Sequence, residues 1–385
     1  LDKSKKGAKK LQKIKIVFVC LLFLGAVLRA DRVRAEEVWI PEIDTGEAEE
    51  ILSDRLEGED FSLGEYIEEL LTGEESFSLN SLFSYLWTGV KGEIEKSREK
   101  LLSVLVIAVG AAVFTNFSNV FKNNQVADTG FYVAYLLMFS ALAASFYEAA
   151  KTAEKVLTSL TEFMSALAPA FYMAVTIASS TGTSLLFYQA SLVVLWLVDT
   201  LLLKIVLPLI HIYFVVHLAN HLIEKDLLSK TTELIEEGIG WCLKTLVGVV
   251  AGYHFIQGIF TPVADEVKKN TLLKAVEAIP GVGRLAGSLA ETVFGAGVLV
   301  KNAVGIGGIM ALLLLLAGPV VKLFCYFLFY RLGASFIQPV SDRRLLECLM
   351  GTAKAAKLLM ATVCVGGALF VITIALVMSA TNVKI

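Results

Sequence analysis

The sequence predicts an all-α, polytopic membrane protein. It should hold about seven or eight transmembrane helices, a small helical exported segment, and a glycine-rich element that is amphipathic or re-entrant. Three observations lead there. Hydrophobic residues make up 56% of the chain and charged residues 18%, where soluble domains run at about 45–50% and about 25%. Largely apolar runs recur along the chain, each long enough to cross about 30 Å of hydrocarbon as a helix. Between two of them, Pro280 to Gly308 carries eight glycines and suits neither lipid nor water.

The N-terminus is basic, then apolar. Lys3, Lys5, Lys6, Lys9, Lys10, Lys13 and Lys15 precede a short apolar core, Ile16 to Val27. Val33-Arg34-Ala35 then offers a small-residue cleavage site, so residues 1–35 read as a secretory signal peptide. The alternative is an uncleaved first anchor. Either reading places residues 36–100 outside the cytoplasm. That segment holds nineteen acidic and five basic residues, a local net charge of −14. Such a balance makes nucleic acid and an anionic lipid surface unattractive partners for this segment. Within it, Ser62-Leu63-Gly64-Glu65 has the form of a capping box and opens a helix that Gly73 closes. A second helix is expected after Ser78, with Leu79, Leu82, Phe83, Leu86 and Val90 on one face. The segment is too short and too acidic for a strong core of its own, so it is expected to dock.

The polytopic domain, 101–385, presents apolar stretches at about 101–121, 130–147, 160–179, 185–203, 205–222, 239–260, 303–330 and 356–380. The run from 185 to 222 has no turn signal beyond Asp199, Lys204 and Pro208, and reads as a tight hairpin or as one broken helix. Pro208 and Pro319 each interrupt an apolar run ahead of an aromatic cluster, as paired broken helices of transporters do.

Polar residues inside these stretches define the chemistry on offer. His217, His221 and Glu224 share one helical face at metal-ligand spacing. Asp199, Lys204, Lys244 and Lys322 interrupt apolar sequence, where ionisable groups face a bundle interior or snorkel outward. The sequence holds no nucleophile with a base and no phosphate-cradling loop, and its five cysteines form no metal pattern. Neither a cofactor nor an enzymatic activity is therefore expected.

As a helix, the stretch from Val282 sets Val282, Leu285, Leu289 and Val293 opposite Arg284, Ser288 and Glu291. Arg284 and Glu291 are expected to pair or to meet partner charges. Three pieces then resemble the stage III sporulation protein AE family of endospore-forming bacteria. They are Pro280-Gly281-Val282-Gly283-Arg284, Thr292-Val293, and Leu299-Val300-Lys301-Asn302-Ala303-Val304-Gly305-Ile306. Gln338-Pro339 and Asp342 continue the likeness, as does the plan of signal peptide, acidic segment and polytopic domain.

The resemblance implies a subunit of a channel or secretion-like complex that joins mother cell and forespore, in the mother-cell membrane around the forespore. It implies small membrane proteins, ring-forming proteins, a secretion-type ATPase and a forespore membrane protein as partners, alongside the lipid bilayer. It brings no catalytic residues. The residues expected to face partners or function are Arg284, Glu291, Lys301, Asn302, Gly305, Gln338, Pro339 and Asp342. The rival expectation is a stand-alone secondary transporter coupling an ion to a solute through Asp199, Lys204 or the histidines.

Overall fold

The computed structural model describes residues 44–56, 61–72, 124–179, 183–222, 227–277, 283–339 and 342–380, with scattered positions between 92 and 114. The side chains of 124–128, 179, 183–189, 192, 258–294 and 379–380 lie outside the described residues. So do the signal peptide, the helix expected after Ser78, most of the stretch 101–121, and Glu224.

Two short helices come first, α1 (Gly46–Arg55) and α2 (Leu63–Thr72). Ser62 caps α2, its Oγ accepting the Glu65 backbone N–H at 3.3 Å as the capping signal predicts. Glu49 of α1 adds a second cap by accepting the Gly64 N–H at 2.9 Å, a carboxylate at the positive end of the helix dipole. Ala48, Leu52, Leu63 and Ile67 are buried and turn both helices onto the rest of the chain. Arg55 meets Glu162 at 3.4 Å.

The remaining helices are long. They are α3 (Asn124–Ser179), α4 (Thr183–Leu201), α5 (Leu207–Leu222), α6 (Ser229–Glu277), α7 (Gly283–Ile337) and α8 (Arg343–Ala380). Five described segments are long and apolar enough to cross a membrane: Thr129–Ala178, Val193–Leu222, Ser229–Gln257, Gly295–Ile337 and Arg343–Met378. The chain is an all-α polytopic membrane protein, and no strand occurs among the described residues.

Seven of the eight apolar stretches map onto these five segments, by two fusions, and the first, 101–121, lies mostly outside the described residues. The stretches 130–147 and 160–179 belong to one 56-residue helix, α3. Glu148, Lys151, Glu154 and Lys155 look like a connection in the sequence, yet most residues between the two stretches favour helix and no Gly or Pro breaks it. The stretches 185–203 and 205–222 fuse through a π-helical turn, Leu202–Val206, in which the Leu207 N–H reaches back to Leu202 O. Pro208 explains that turn. Its ring would collide with the carbonyl four residues back in a regular helix, and widening the preceding turn relieves the collision. At Pro319 no such break occurs, and α7 runs through it. The glycine-rich element is likewise the first half of α7, continuous with the apolar second half.

Named contacts fix the directions. Tyr326 reaches Glu148, Tyr330 reaches Ser145, and Gly308 lies on Leu167, so α3 and α7 are antiparallel. Helix α8 runs against α7 and along α3, as Lys301 on Met378 and Cys348 on Tyr135 show. Phe146 stacks on Phe214 at 4.0 Å and Thr161 meets Asp199, so α4 and α5 return along α3. Helix α6 follows α8, through Lys354–Glu236 at one end and His254–Thr373 towards the other. The core runs the length of this bundle, from Tyr135 and Leu345 to Ala375 and Met378.

Candidate functional site

The stretch of α7 from Gly297 to Gly308 is where four helices meet. A helix of this sequence places Gly297, Lys301, Gly305 and Gly308 on one stripe, at i, i+4, i+8 and i+11. Each glycine costs about 1 kcal/mol of helix propensity relative to alanine, and here each admits a close neighbour. A Cβ at Gly297 would lie 2.7 Å from the Ala178 backbone N of α3. At Gly305 it would strike the Met378 side chain of α8, and at Gly308 it would lie 2.5 Å from Leu167 of α3. Gly307 points elsewhere, and a Cβ there would sit 2.9 Å from Ile67 and 3.2 Å from Leu63 of α2. One glycine face thus closes the α3–α7–α8 seam, and the next seats α2.

Lys301 is fully buried in that seam. Its Nζ donates to the Met378 carbonyl at 3.0 Å. Met378 lies in the last turn of α8, at the negative end of its helix dipole. The buried ammonium thus finds an acceptor and a favourable field together. Asn302 turns to the adjacent face, half-buried, with its Oδ1 enclosed and lacking a hydrogen-bond partner among the described residues.

The other expected site residues lie apart. Gln338 and Pro339 form an exposed turn at the end of α7. Asp342 caps α8, its Oδ1 accepting the Arg344 N–H at 2.8 Å. Arg344 also lies over the Phe131 ring at 3.7 Å, tying this joint to the start of α3. The structure therefore brings Lys301 and Gly305 together and sets Gln338, Pro339 and Asp342 at the opposite end of α7. Arg284 and Glu291 lie on the α7 backbone, with their side chains outside the described residues.

Of the metal-type trio, His217 and His221 are described and Glu224 lies outside the described residues. The His217 Nε2 meets Glu347 O at 3.1 Å and the His221 Nδ1 meets His217 O at 2.7 Å. No cluster of metal ligands occurs among the described residues. Gly351 is shaped to His217, whose ring occupies the space a Cβ would need. Asp199 accepts from Thr161 at 3.3 Å, while Lys204 and Lys244 are exposed, so these groups share no pocket.

Sequence reasoning missed the polar group around His254. Its ring lies between Gln257 and Thr373, each at 3.0 Å, inside the bundle. A histidine three residues before a glutamine on one helix was the available signal, and the partner on α8 was not.

No solved structure matches this chain. It is 25% identical over 323 residues to the stage III sporulation protein AE of Bacillus subtilis (strain 168), a match covering 82% of this chain and 79% of that protein. The family model described as "Stage III sporulation protein AE" matches residues 61–381, which take in the capped helix α2, the glycine seam and the Asp342 joint. On that match the chain belongs to the stage III sporulation protein AE family.

Proposed function

We propose that this protein is a structural platform subunit of a transenvelope complex that links mother cell and forespore during sporulation. In this reading it sits in the mother-cell membrane around the forespore, with residues 36–100 in the space between the two membranes. The observation that carries the proposal is the seating of α2 on the glycine face of α7, with α1 tied to α2 by Glu49 and to α3 by Arg55. A sporulation-family membrane bundle thereby holds its acidic N-terminal helices as a fixed surface rather than on a tether. Glu47, Glu50, Asp54, Glu65, Glu68 and Glu69 are all exposed on it. A surface of this kind suits ring-forming proteins that stack onto a membrane base, with a secretion-type ATPase supplying energy from the other side. Arg284, Glu291, Gln338 and Pro339 are the residues we assign to partner contacts. The scatter of Asp199, Lys204 and His217 leaves a transporter without a common binding pocket, and the subunit acts without catalysis of its own.

The test is affinity purification of a tagged copy from crosslinked sporulating cells, with mass spectrometry of the proteins that co-purify. Recovery of ring-forming proteins and a secretion-type ATPase is the expected result. Recovery of the protein alone, repeatedly and under crosslinking, would overturn the platform and turn attention to solute binding.

A further inference from the structure

Helices α6 and α8 lie side by side and point the same way. Glu236 meets Lys354 at 3.5 Å near their starts, and the His254 ring meets Thr373 at 3.0 Å further on. The offset in sequence is nearly the same at both contacts, so the two helices stay in step. At about 100° per residue from these contacts, Glu237, Gly240 and Gly248 of α6 turn to the same outer side as Lys357, Cys364 and Ala368 of α8. All but the half-buried Gly240 are exposed.

Glu237 and Lys357 carry opposite charges and stand within about one helical turn of each other in height. Neither is in an ion pair among the described residues. Within one chain they do not meet, because three residues on from Lys354 the helix has turned Lys357 away from α6. Both belong to segments long and apolar enough to cross a membrane, where a lone charge is costly until it finds its opposite. The glycines of this side are unfilled as well. A Cβ at Gly240 or Gly248 would have nothing within 4 Å, whereas Gly297, Gly305, Gly308, Gly351 and Gly366 each hold a close neighbour of the same chain. Glycine weakens a helix, and in a membrane bundle small residues let another helix approach closely.

We propose that this side of α6 and α8 is the contact surface for a second copy of the chain. Two copies inserted the same way in one membrane are related by a two-fold axis along the membrane normal, which makes the contact isologous. Such an axis leaves heights unchanged and sets α6 of each copy opposite α8 of the other. Glu237 then meets Lys357 of the partner subunit, and the same pair recurs across the axis. Gly248 comes level with the small side chains of Cys364 and Ala368. Lys244, exposed two turns along α6 from Glu237, also stands at the height of small residues on α8 and meets no cation there. Contact of α6 with α6 would instead set Glu237 against its own copy, so charge selects the crossed pairing.

The test uses the full chain in phosphatidylethanolamine–phosphatidylglycerol vesicles, with its native cysteines replaced by alanine. Copies carrying Glu237→Cys and copies carrying Lys357→Cys, each with its own tag, are co-expressed and treated with a short bifunctional maleimide. The expected result is cross-linking between the two kinds of copy at several times the yield of either kind with itself. Charge reversal supplies a second readout. Glu237→Lys and Lys357→Glu should each raise the dimer dissociation constant in detergent by about threefold or more. The two changes in one chain should restore it, because the two-fold axis inverts both pairs at once. Equal cross-linking in every combination would overturn the proposal, as would none at all, the outcome if lipid covers this side. So would a double reversal as weak as the single ones. Cross-linking of both positions to a different protein in sporulating cells, and not to a second copy, would give the surface to that protein and overturn the dimer.

Discussion

Gly297 and Gly307 lie ten residues apart on α7 and differ in what they touch. A methyl group at Gly297 meets the α3 backbone, which cannot move without shifting the helix. At Gly307 it meets only side-chain atoms, Ile67 Cγ1 at 2.9 Å and the Leu63 tip at 3.2 Å, on a short helix that can shift by a few tenths of an ångström. Gly297→Ala should therefore lower stability by about 1–3 kcal/mol, the usual cost of overpacking, and Gly307→Ala by clearly less. Thermal unfolding of the two variants in detergent would check the order, and equal loss would show that the seam yields at both positions. The sequence marked this region by its glycine content, and Lys301 and Gly305 stood among the expected functional residues. What each residue does was not legible there. The partners of Lys301 and Gly305 lie on α8, more than seventy residues onward, and hydropathy carries no information about such pairings. Asp342 was more readable in principle, because an aspartate ahead of a helical run is a capping signal.

Among the elements, the π-helical turn separates what sequence reading can reach from what it cannot. Pro208 raised a broken helix as one of two readings, since its chemistry is local. The fusion of two apolar stretches into α3 was hidden, because a charged helical segment reads the same as a connection between spans. A π-turn holds one residue more than the α-helix it interrupts. Deleting Leu203 together with Pro208→Ala should therefore convert Leu202–Val206 to regular helix and keep the register on both sides. Thr161–Asp199 would stay in place on one side and His217–Glu347 on the other. Deleting Ile212 instead should rotate every later α5 residue by about 100° and separate His217 from Glu347. Membrane-inserted yield of the two deletions is the measurement. Equal yields would mean that the turn does not absorb the change.

At the scale of the molecule the helices outrun the bilayer. The 50-residue apolar segment of α3 measures about 75 Å at 1.5 Å per residue, against about 30 Å of hydrocarbon. Val133 and Met173 are both exposed on α3 and about 60 Å apart along it. Even a helix tilted by about 40° cannot hold both in lipid. In a cysteine-free background, at least one of Val133→Cys and Met173→Cys should react with a membrane-impermeant maleimide in vesicles opened to both sides. Protection of both would require a sharp bend in α3. Lys301 bears on this architecture in another way, through the time at which its acceptor is made. The ribosome releases α7 well before it reaches Met378, 77 residues later. Until then α7 carries an ammonium group in its apolar stretch, and the Met378 carbonyl has not been synthesised. The seam around Lys301 therefore closes onto Met378 only when translation of α8 is all but complete, and a chain cut short before that residue lacks this acceptor.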